Sequence, residues 1–462
     1  MPEEPDGNVW GAHDADVTRR LAASFRGELL TPGDRGYGRT RRVFNGMIDR
    51  RPSVILRCSG VADVMQGVRV AREQEWPVSI RGGGHGVAGN AVCDGGLMLD
   101  LSGMKGMHVD PVRRMAQGQT GLLLGEFDHE TQAFGLATTL GVVSLTGIAG
   151  LTLGGGLGWL NGKYGLACDN VLAADVVTAD GEFLTADASE NEDLYWALRG
   201  GGGNFGVVTA LTYQLHPVTT VLAGGLTFPA EQAHDALRFY HQFASGAPDE
   251  LSMGGSVSRD PEGHVTVSIT ACYCGPLDEG ERVLSPLRGF GRPLGGEIVP
   301  LPYEALQCGA DVSFPRGRQH YWKSSYLRDL TDEAIDVLLD FAATIPSPFT
   351  GIGLQQMTGV ASRVDPRATA FAHRDRQYDF LILSQWEDPV DSDRNIEWTR
   401  RFFEAMSPHL KEAVYVNNLG DQEHDRVRAA YGVNYDQLAA VKARYDPENI
   451  FRLNHNIAPA VR

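Results

Sequence analysis

The chain has 462 residues, 42% of them hydrophobic, and carries 41 Lys and Arg against 58 Asp and Glu, a net charge of -17. That length exceeds one ordinary core and implies roughly two to three domains. The negative balance argues against nucleic acid or an anionic membrane surface, no apolar run is long enough to cross a bilayer, and small molecules remain as the expected partners.

The opening stretch MPEEPDGNVWGAHDAD is acidic and polar where a secretory leader is basic and then apolar, so a cytoplasmic location is expected. "SVILRC" (53–58) reads as a short strand, Val61, Val64, Met65, Val68 and Ala71 then recur at helical spacing, and "PVSI" (77–80) is strand again. "GLMLDL" (96–101) continues as strand and "GLLLGEFDHETQAFG" (121–135) as helix. "VLAADVVTADGEFLTA" (171–186) reads as two strands joined by an Asp180-Gly181 hairpin turn, after which Ser189 and Glu192 form a capping box for a helix to about Leu198.

From about residue 220 the texture changes. Longer helical patterns (229–245, 331–345 and 391–410) alternate with long β runs at 251–258, 264–274, 351–358 and 377–386, an α+β layout with a broad sheet. "AVYVNN" is expected as a short strand, followed by helices and the tail "YDPENIFRLNHNI". The six cysteines form no CxxC pair. Cys272 and Cys274, two apart in an alternating run, share one strand face and read as ordinary half-buried thiols. His320, His373 and His409 lack metal-ligand spacing, so no metal site is expected.

Three glycine clusters mark the first half: "RGGGHGVAG" (81–89), "TGIAGLTLGGGLGWLNGKYG" (146–165) and "RGGGGNFG" (199–206). No Walker lysine follows the glycines and no GxGxxG opens a helix after the first strand, so NTPase and NAD-type Rossmann readings fit poorly. What remains is a cradle of bare backbone N–H groups facing a pyrophosphate, in which amide dipoles do more than lysines.

With "RGGGHGVAG", "GLTLGGGLGWLNGKYGLACDN", "RGGGGNFGVVT" and the C-terminal "YVNN...YDPENIFRLNHNI" in order, the sequence resembles the berberine-bridge-enzyme-like oxidases of the vanillyl-alcohol-oxidase superfamily across nearly its whole length. Within that family it is similar to 6-hydroxy-D-nicotine oxidase in its C-terminal asparagines and in "LAAVK" before "YDPEN". The resemblance implies a two-part, PCMH-type FAD-binding domain over 1–218 (core about 49–218), an α+β substrate domain with a broad antiparallel sheet over 219–410, and a C-terminal segment, 411–462, that returns to cover the flavin.

It also implies that His85 bonds covalently to the flavin, among Arg81, Gly82, Gly83, Gly84, Gly86 and Gly89. A second group of flavin contacts is implied at Val143, Ser144, Thr146, Gly147, Gly150, Gly154, Gly155, Gly158 and Leu160. Further contacts are implied at Gly206, Val207, Val208, Tyr415, Asn417, Asn454 and Asn456. Many members of the family carry a second link from a cysteine eleven residues before the central glycines. That position is Val143 here, so a single link through His85 is expected.

In the family's sugar and alcohol oxidases a tyrosine pair serves as base, and those positions are Asn418 and Leu157 in this chain. Asparagine does not titrate usefully. Two expectations follow: either Tyr321, Lys323, Tyr326 or Glu387 deprotonates an alcohol, or the substrate is an amine that needs no strong base. Trp386, with Ser384, or else Gln385, is expected to line the pocket. The reading is an FAD-dependent oxidase of a small-molecule alcohol, phenol or amine that uses dioxygen. The alternatives are a dehydrogenase with another acceptor and a protein that holds FAD without turnover. The sequence leaves the oligomeric state open.

Overall fold

In the computed structural model, which describes Arg19, Leu21, 25–420 and 423–461, the alternating first half of the chain forms two sheets. The acidic N-terminal stretch lies outside the described residues. In the first sheet Leu97–Asp100 inserts between Val54–Arg57 and Val78–Arg81, parallel to both, and Glu28–Leu30 adds antiparallel at the edge. The helix Val61–Glu73 packs Val64, Val68 and Ala71 with Leu56 and Leu99 of the sheet. Near-continuous apolar runs such as "VIL" and "LML" fit strands covered on both sides.

The second sheet is antiparallel, in the order Met107–Asp110, Met115–Gln119, Val207–Gln214, Val171–Val177, Phe183–Asp187. Its hairpin turns at Asp180-Gly181 as the sequence implies, with Gly181 at φ +71 and its N–H donating to the Thr178 carbonyl at 2.9 Å. The capping box is a correction. The helix Glu192–Leu198 starts from Asn191 at φ 52, while the Ser189 hydroxyl donates to Asp187 instead.

The α+β layout of the second half is borne out by a seven-stranded antiparallel sheet. Its order is Gly295–Pro302, Thr220–Pro229, Val265–Tyr273, Leu251–Arg259, Gly351–Met357, Gln377–Trp386, Gln319–Leu327. Three of these strands carry no clear pattern in the sequence. Thr220–Pro229 contains Gly224 at φ +143, Gly295–Pro302 is an exposed edge with two prolines, and "QHYWKSSYL" (319–327) mixes polar and aromatic residues on both faces. The helices Ala233–Ser245, Leu277–Arg288, Asp332–Ala342 and Ser392–Met406 cover one face, burying Tyr240, Leu284, Ile335 and Phe402 with Tyr378, Phe380 and Ile382 of the sheet. The opposite face turns to the glycine-rich half. Among the described residues no helix is long and apolar enough to cross a membrane.

After the last sheet strand the chain returns across the first half. "AVYVNN" is not a strand: Val416–Asn418 is a 3-10 turn, closed by the Asn418 N–H donating to the Tyr415 carbonyl at 3.0 Å. The helix Tyr435–Tyr445 then packs Leu438 and Tyr445 with Leu194 and Leu198 of the first half. Lys442, fully buried, donates from Nζ to Asp446 at 2.6 Å, to the Asn204 carbonyl at 2.7 Å and to the Phe451 carbonyl at 3.0 Å.

Candidate active site

A cavity runs between the glycine clusters and the open face of the seven-stranded sheet. Its floor exists because two backbones approach more closely than side chains permit. A Cβ on Gly83 would lie 2.5 Å from the backbone nitrogen of Gly147, and one on Gly147 would lie 2.5 Å from that of Gly83. Farther along, a Cβ on Gly154 would lie 2.0 Å from Oδ1 of Asn417 in the returning C-terminal segment. Tyr415 completes that clip: its hydroxyl accepts from the Gly156 N–H at 2.9 Å and from Asn417 Nδ2 at 2.7 Å, while Asn417 Nδ2 also reaches the Leu151 carbonyl at 3.0 Å. Sequence and tertiary structure agree here, since each glycine is the residue that leaves the neighbouring segment room.

His85 sits on the cavity wall in the first glycine turn. Its ring stacks on Phe44 with centroids 4.0 Å apart, and Nε2 is enclosed and has no hydrogen-bond partner. Burial, with the Arg316 cation adding to it, pushes its pKa down to about 4. The imidazole is therefore neutral near pH 7 and keeps a lone pair, the state a nucleophile needs. Arg316 itself donates to the Gly83 carbonyl at 2.5 Å.

Across the cavity, strand alternation sets the other wall. In "QYDFLILSQW" the residues Tyr378, Phe380 and Ile382 face the helices, which sends Asp379, Leu381 and Leu383 to the cavity. On the adjoining strands Trp322 and Gln355 join them, and Gly254 and Gly353 leave space. Asp379 accepts from the Ser324 hydroxyl at 3.1 Å and from Asn418 Nδ2 at 2.7 Å. Burial pushes its pKa up to about 7 against those two hydrogen bonds. Asp379 is the one carboxylate among the described lining residues, and no lysine or arginine is among them.

The sequence-expected residues divide. Gly82, Gly83, Gly84, His85, Gly86, Val143, Thr146, Gly147, Gly150 and Gly158 line the cavity, as do Gly206, Val208, Tyr415, Asn417, Asn418 and Asn454. Behind this lining, Arg81 donates to the Thr40 carbonyl, Gly89 faces Ile48, Gly154 and Gly155 meet Asn417 and Phe371, and Asn456 stands outside. Ser144 is turned to Asp311, its hydroxyl donating at 2.5 Å, and Leu160 and Val207 pack in cores away from the cavity.

The substrate-domain expectations need larger corrections. Trp386 lies an odd number of residues from Asp379 and so faces the helices, where Nε1 donates to Ser392 at 3.2 Å; Ser384 shares that face. Tyr321 and Lys323 have the same parity: the Tyr321 hydroxyl accepts from Arg400, and Lys323 pairs with Glu423 at 2.9 Å. Glu387 is exposed beside Arg318. Tyr326 is on the cavity side but does not line the cavity; it is packed with Leu157, Met357 and Tyr415, and burial raises its pKa well above the usual phenol value. None of the four expected bases, Tyr321, Lys323, Tyr326 and Glu387, lines the cavity.

Asp379 escaped the sequence reading. Its signal was present: an acidic residue near the start of a largely apolar strand, Gln377–Trp386, is costly to bury and marks a candidate site.

The cavity fits FAD in three respects. Its floor is bare backbone with no cation, as a pyrophosphate held by amide dipoles requires; Asn454 Oδ1 and His85 Nε2 are enclosed without partners; and a neutral histidine stands on the wall. Two families match the chain: an FAD binding domain over residues 52–187 and a "Berberine and berberine like" segment over 414–458. An FAD-linked oxidoreductase of Dictyostelium discoideum is 31% identical over 96% of this chain and 97% of its own. The (R)-6-hydroxynicotine oxidase of Paenarthrobacter nicotinovorans is 34% identical over 94% of this chain and 97% of its own. The crystal structure of 6-hydroxy-D-nicotine oxidase from Arthrobacter nicotinovorans superposes with a TM-score of 0.89 at 31% identity, covering 95% of this chain and 99% of that one.

Fold and site together define an FAD-binding flavoprotein enzyme, an oxidoreductase acting on small molecules. The chain belongs to the berberine-bridge-enzyme-like family of PCMH-type FAD-linked oxidases.

Proposed function

We propose that this protein is an FAD-dependent oxidase of a small-molecule alcohol, phenol or amine of secondary metabolism, with the cofactor tied through His85 alone and Asp379 as proton acceptor. The division proposed is an FAD-binding domain over 1–218, a substrate domain over 219–410 and a covering segment over 411–462. FAD held by these residues would supply a hydride acceptor at N5, with dioxygen as the proposed final oxidant yielding hydrogen peroxide. Everything else falls to the chain's own residues. The glycine turns and Asn454 hold the cofactor, Leu157 and Tyr415 close the wall behind it, and the open sheet face presents the substrate.

The observation that carries this reading is the lone carboxylate of Asp379, buried, poised near neutrality and fixed by Ser324 and Asn418 on the cavity wall. A base acts best when its pKa lies close to the working pH. It takes over the task for which Leu157 and Asn418 supply no phenol. An alcohol gives up its hydroxyl proton to this group, and a protonated amine gives up its ammonium proton to become the neutral form that is oxidised. With one carboxylate and no lysine or arginine among the described lining residues, the sheet wall offers an anionic substrate no charged partner. The similarity to (R)-6-hydroxynicotine oxidase supports a small organic substrate.

The test is anaerobic mixing with a panel of amines and alcohols. Bleaching of the flavin, followed on admission of air by rapid recolouring and one peroxide per flavin, is the expected result. Slow recolouring in air but fast recolouring with a quinone identifies a dehydrogenase. A flavin that dithionite reduces but no alcohol or amine bleaches points to a protein that only holds FAD.

A further inference from the structure

The Phe44 ring is fully buried between two histidines. His85 stacks on one face at 4.0 Å and 16°, and His320 on the other at 4.3 Å and 26°, with Trp322 edge-on to both Phe44 and His320. The three residues come from three separate parts of the chain. Phe44 lies in a loop before the first parallel strand, His85 in the glycine turn, and His320 on the edge strand of the seven-stranded sheet.

The backbone around Phe44 is bonded to both neighbours. Its N–H donates to the Gly84 carbonyl at 2.9 Å, and its carbonyl accepts from Gly317 at 3.0 Å. Asn45 Nδ2 reaches the carbonyls of Val87 at 2.8 Å and His320 at 2.9 Å, and Asn45 Oδ1 accepts from the His320 N–H at 3.0 Å. Both ring nitrogens of His320 are buried without partners, so the sandwich holds that ring by stacking and enclosure alone. A histidine's second side-chain torsion is otherwise broad. A ring pinned flat against Phe44 loses that freedom and has one face covered.

We propose that Phe44, backed by His320, is the positioning residue that sets the plane of the His85 imidazole for its bond to the flavin 8α-carbon. The inference rests on the proposed link through His85. Forming that bond removes one hydrogen from the 8α-methyl group and one from the imidazole, makes one C–N bond, and leaves two electrons and two protons on the flavin. Dioxygen then takes them as hydrogen peroxide. Fixing one partner's orientation is the contribution such a bimolecular step gains most from.

The experiment measures total bound flavin in the native protein and, at timed intervals after FAD is added to flavin-free protein, the fraction that stays with the chain after acid precipitation, in wild type, Phe44→Leu, Phe44→Tyr and His320→Leu. We expect wild type to retain its flavin, Phe44→Leu to bind flavin but link it about tenfold more slowly, Phe44→Tyr to restore linkage, and His320→Leu to fall between. A Phe44→Leu protein that links as fast as wild type overturns the proposal. If Phe44→Leu yields no folded protein, wild-type linkage in His320→Leu overturns it instead. A wild type that loses all flavin to acid overturns the His85 link itself, an outcome distinct from the other two.

Discussion

Asn418 Nδ2 lies 2.7 Å from Asp379 Oδ2, joining the C-terminal turn to a buried strand of the seven-stranded sheet. The asparagine that cannot act as a base thus holds the carboxylate proposed to do so. Replacing Asp379 with Asn keeps the shape and removes the proton acceptor. We expect anaerobic flavin reduction by a good substrate to slow by about 10²–10⁴-fold, with flavin content unchanged. An Asp379→Asn enzyme that reduces its flavin at the wild-type rate would remove the carboxylate from the chemistry.

The pKa of Asp379, near 7, gives that role a pH signature. Burial raises it, so the carboxylate is protonated and idle below neutrality and ionised above. The rate of flavin reduction should climb about tenfold per pH unit below pH 7 and level off above it. Asp379→Asn should lose this rising limb, and Asn418→Ala should move its midpoint upward, because the hydrogen bond removed favours the ionised form.

The glycine floor can be tested without substrate. At Gly147 a methyl group would meet backbone atoms of Gly83 that cannot step aside. We expect Gly147→Ala to cost about 2 kcal/mol or more in stability and to lower flavin content. Gly38→Ala, where a methyl meets nothing within 4 Å and which stands outside the cavity, should be close to wild type in melting temperature and flavin content.

The C-terminal cover depends on Lys442. Its buried ammonium joins Asp446 to the carbonyls of Asn204 and Phe451, and Asp446 in turn accepts from the N–H groups of Ile450 at 2.7 Å and Phe451 at 2.8 Å. Lys442→Met leaves an unpaired buried carboxylate, a loss of about 3–5 kcal/mol. The expected signs are a lowered melting temperature and faster hydrogen exchange over 446–457. Unchanged exchange there would show that the tail is held by its apolar contacts alone.

Much of this was legible in the sequence because the cofactor site is built from glycines. A residue kept where two backbones touch, such as Gly83 or Gly147, leaves a mark that local reading detects, and the long strands "HVTVSITACYC" and "YDFLILSQW" show their period. Which face of a strand meets the cavity is decided elsewhere. Trp386, Tyr321 and Lys323 looked suitable by chemistry, yet parity turned them to the helices, and the clue was the packing of Tyr378, Phe380 and Ile382. Phe44 and His320 carry no motif at all; only the meeting of three distant segments makes them a stack. "AVYVNN" misled because its apolar start resembles a strand, while its work is to turn the chain so that Asn417 and Asn418 reach different partners.

The most direct measurement is the intact mass of the acid-denatured chain, taken for wild type and for His85→Ala. We expect the wild-type chain to be heavier by one FAD less two hydrogens, and His85→Ala to run at its polypeptide mass with the yellow colour left in the supernatant. A wild-type chain at polypeptide mass, or a His85→Ala chain that still carries the flavin, would contradict a single tether at His85.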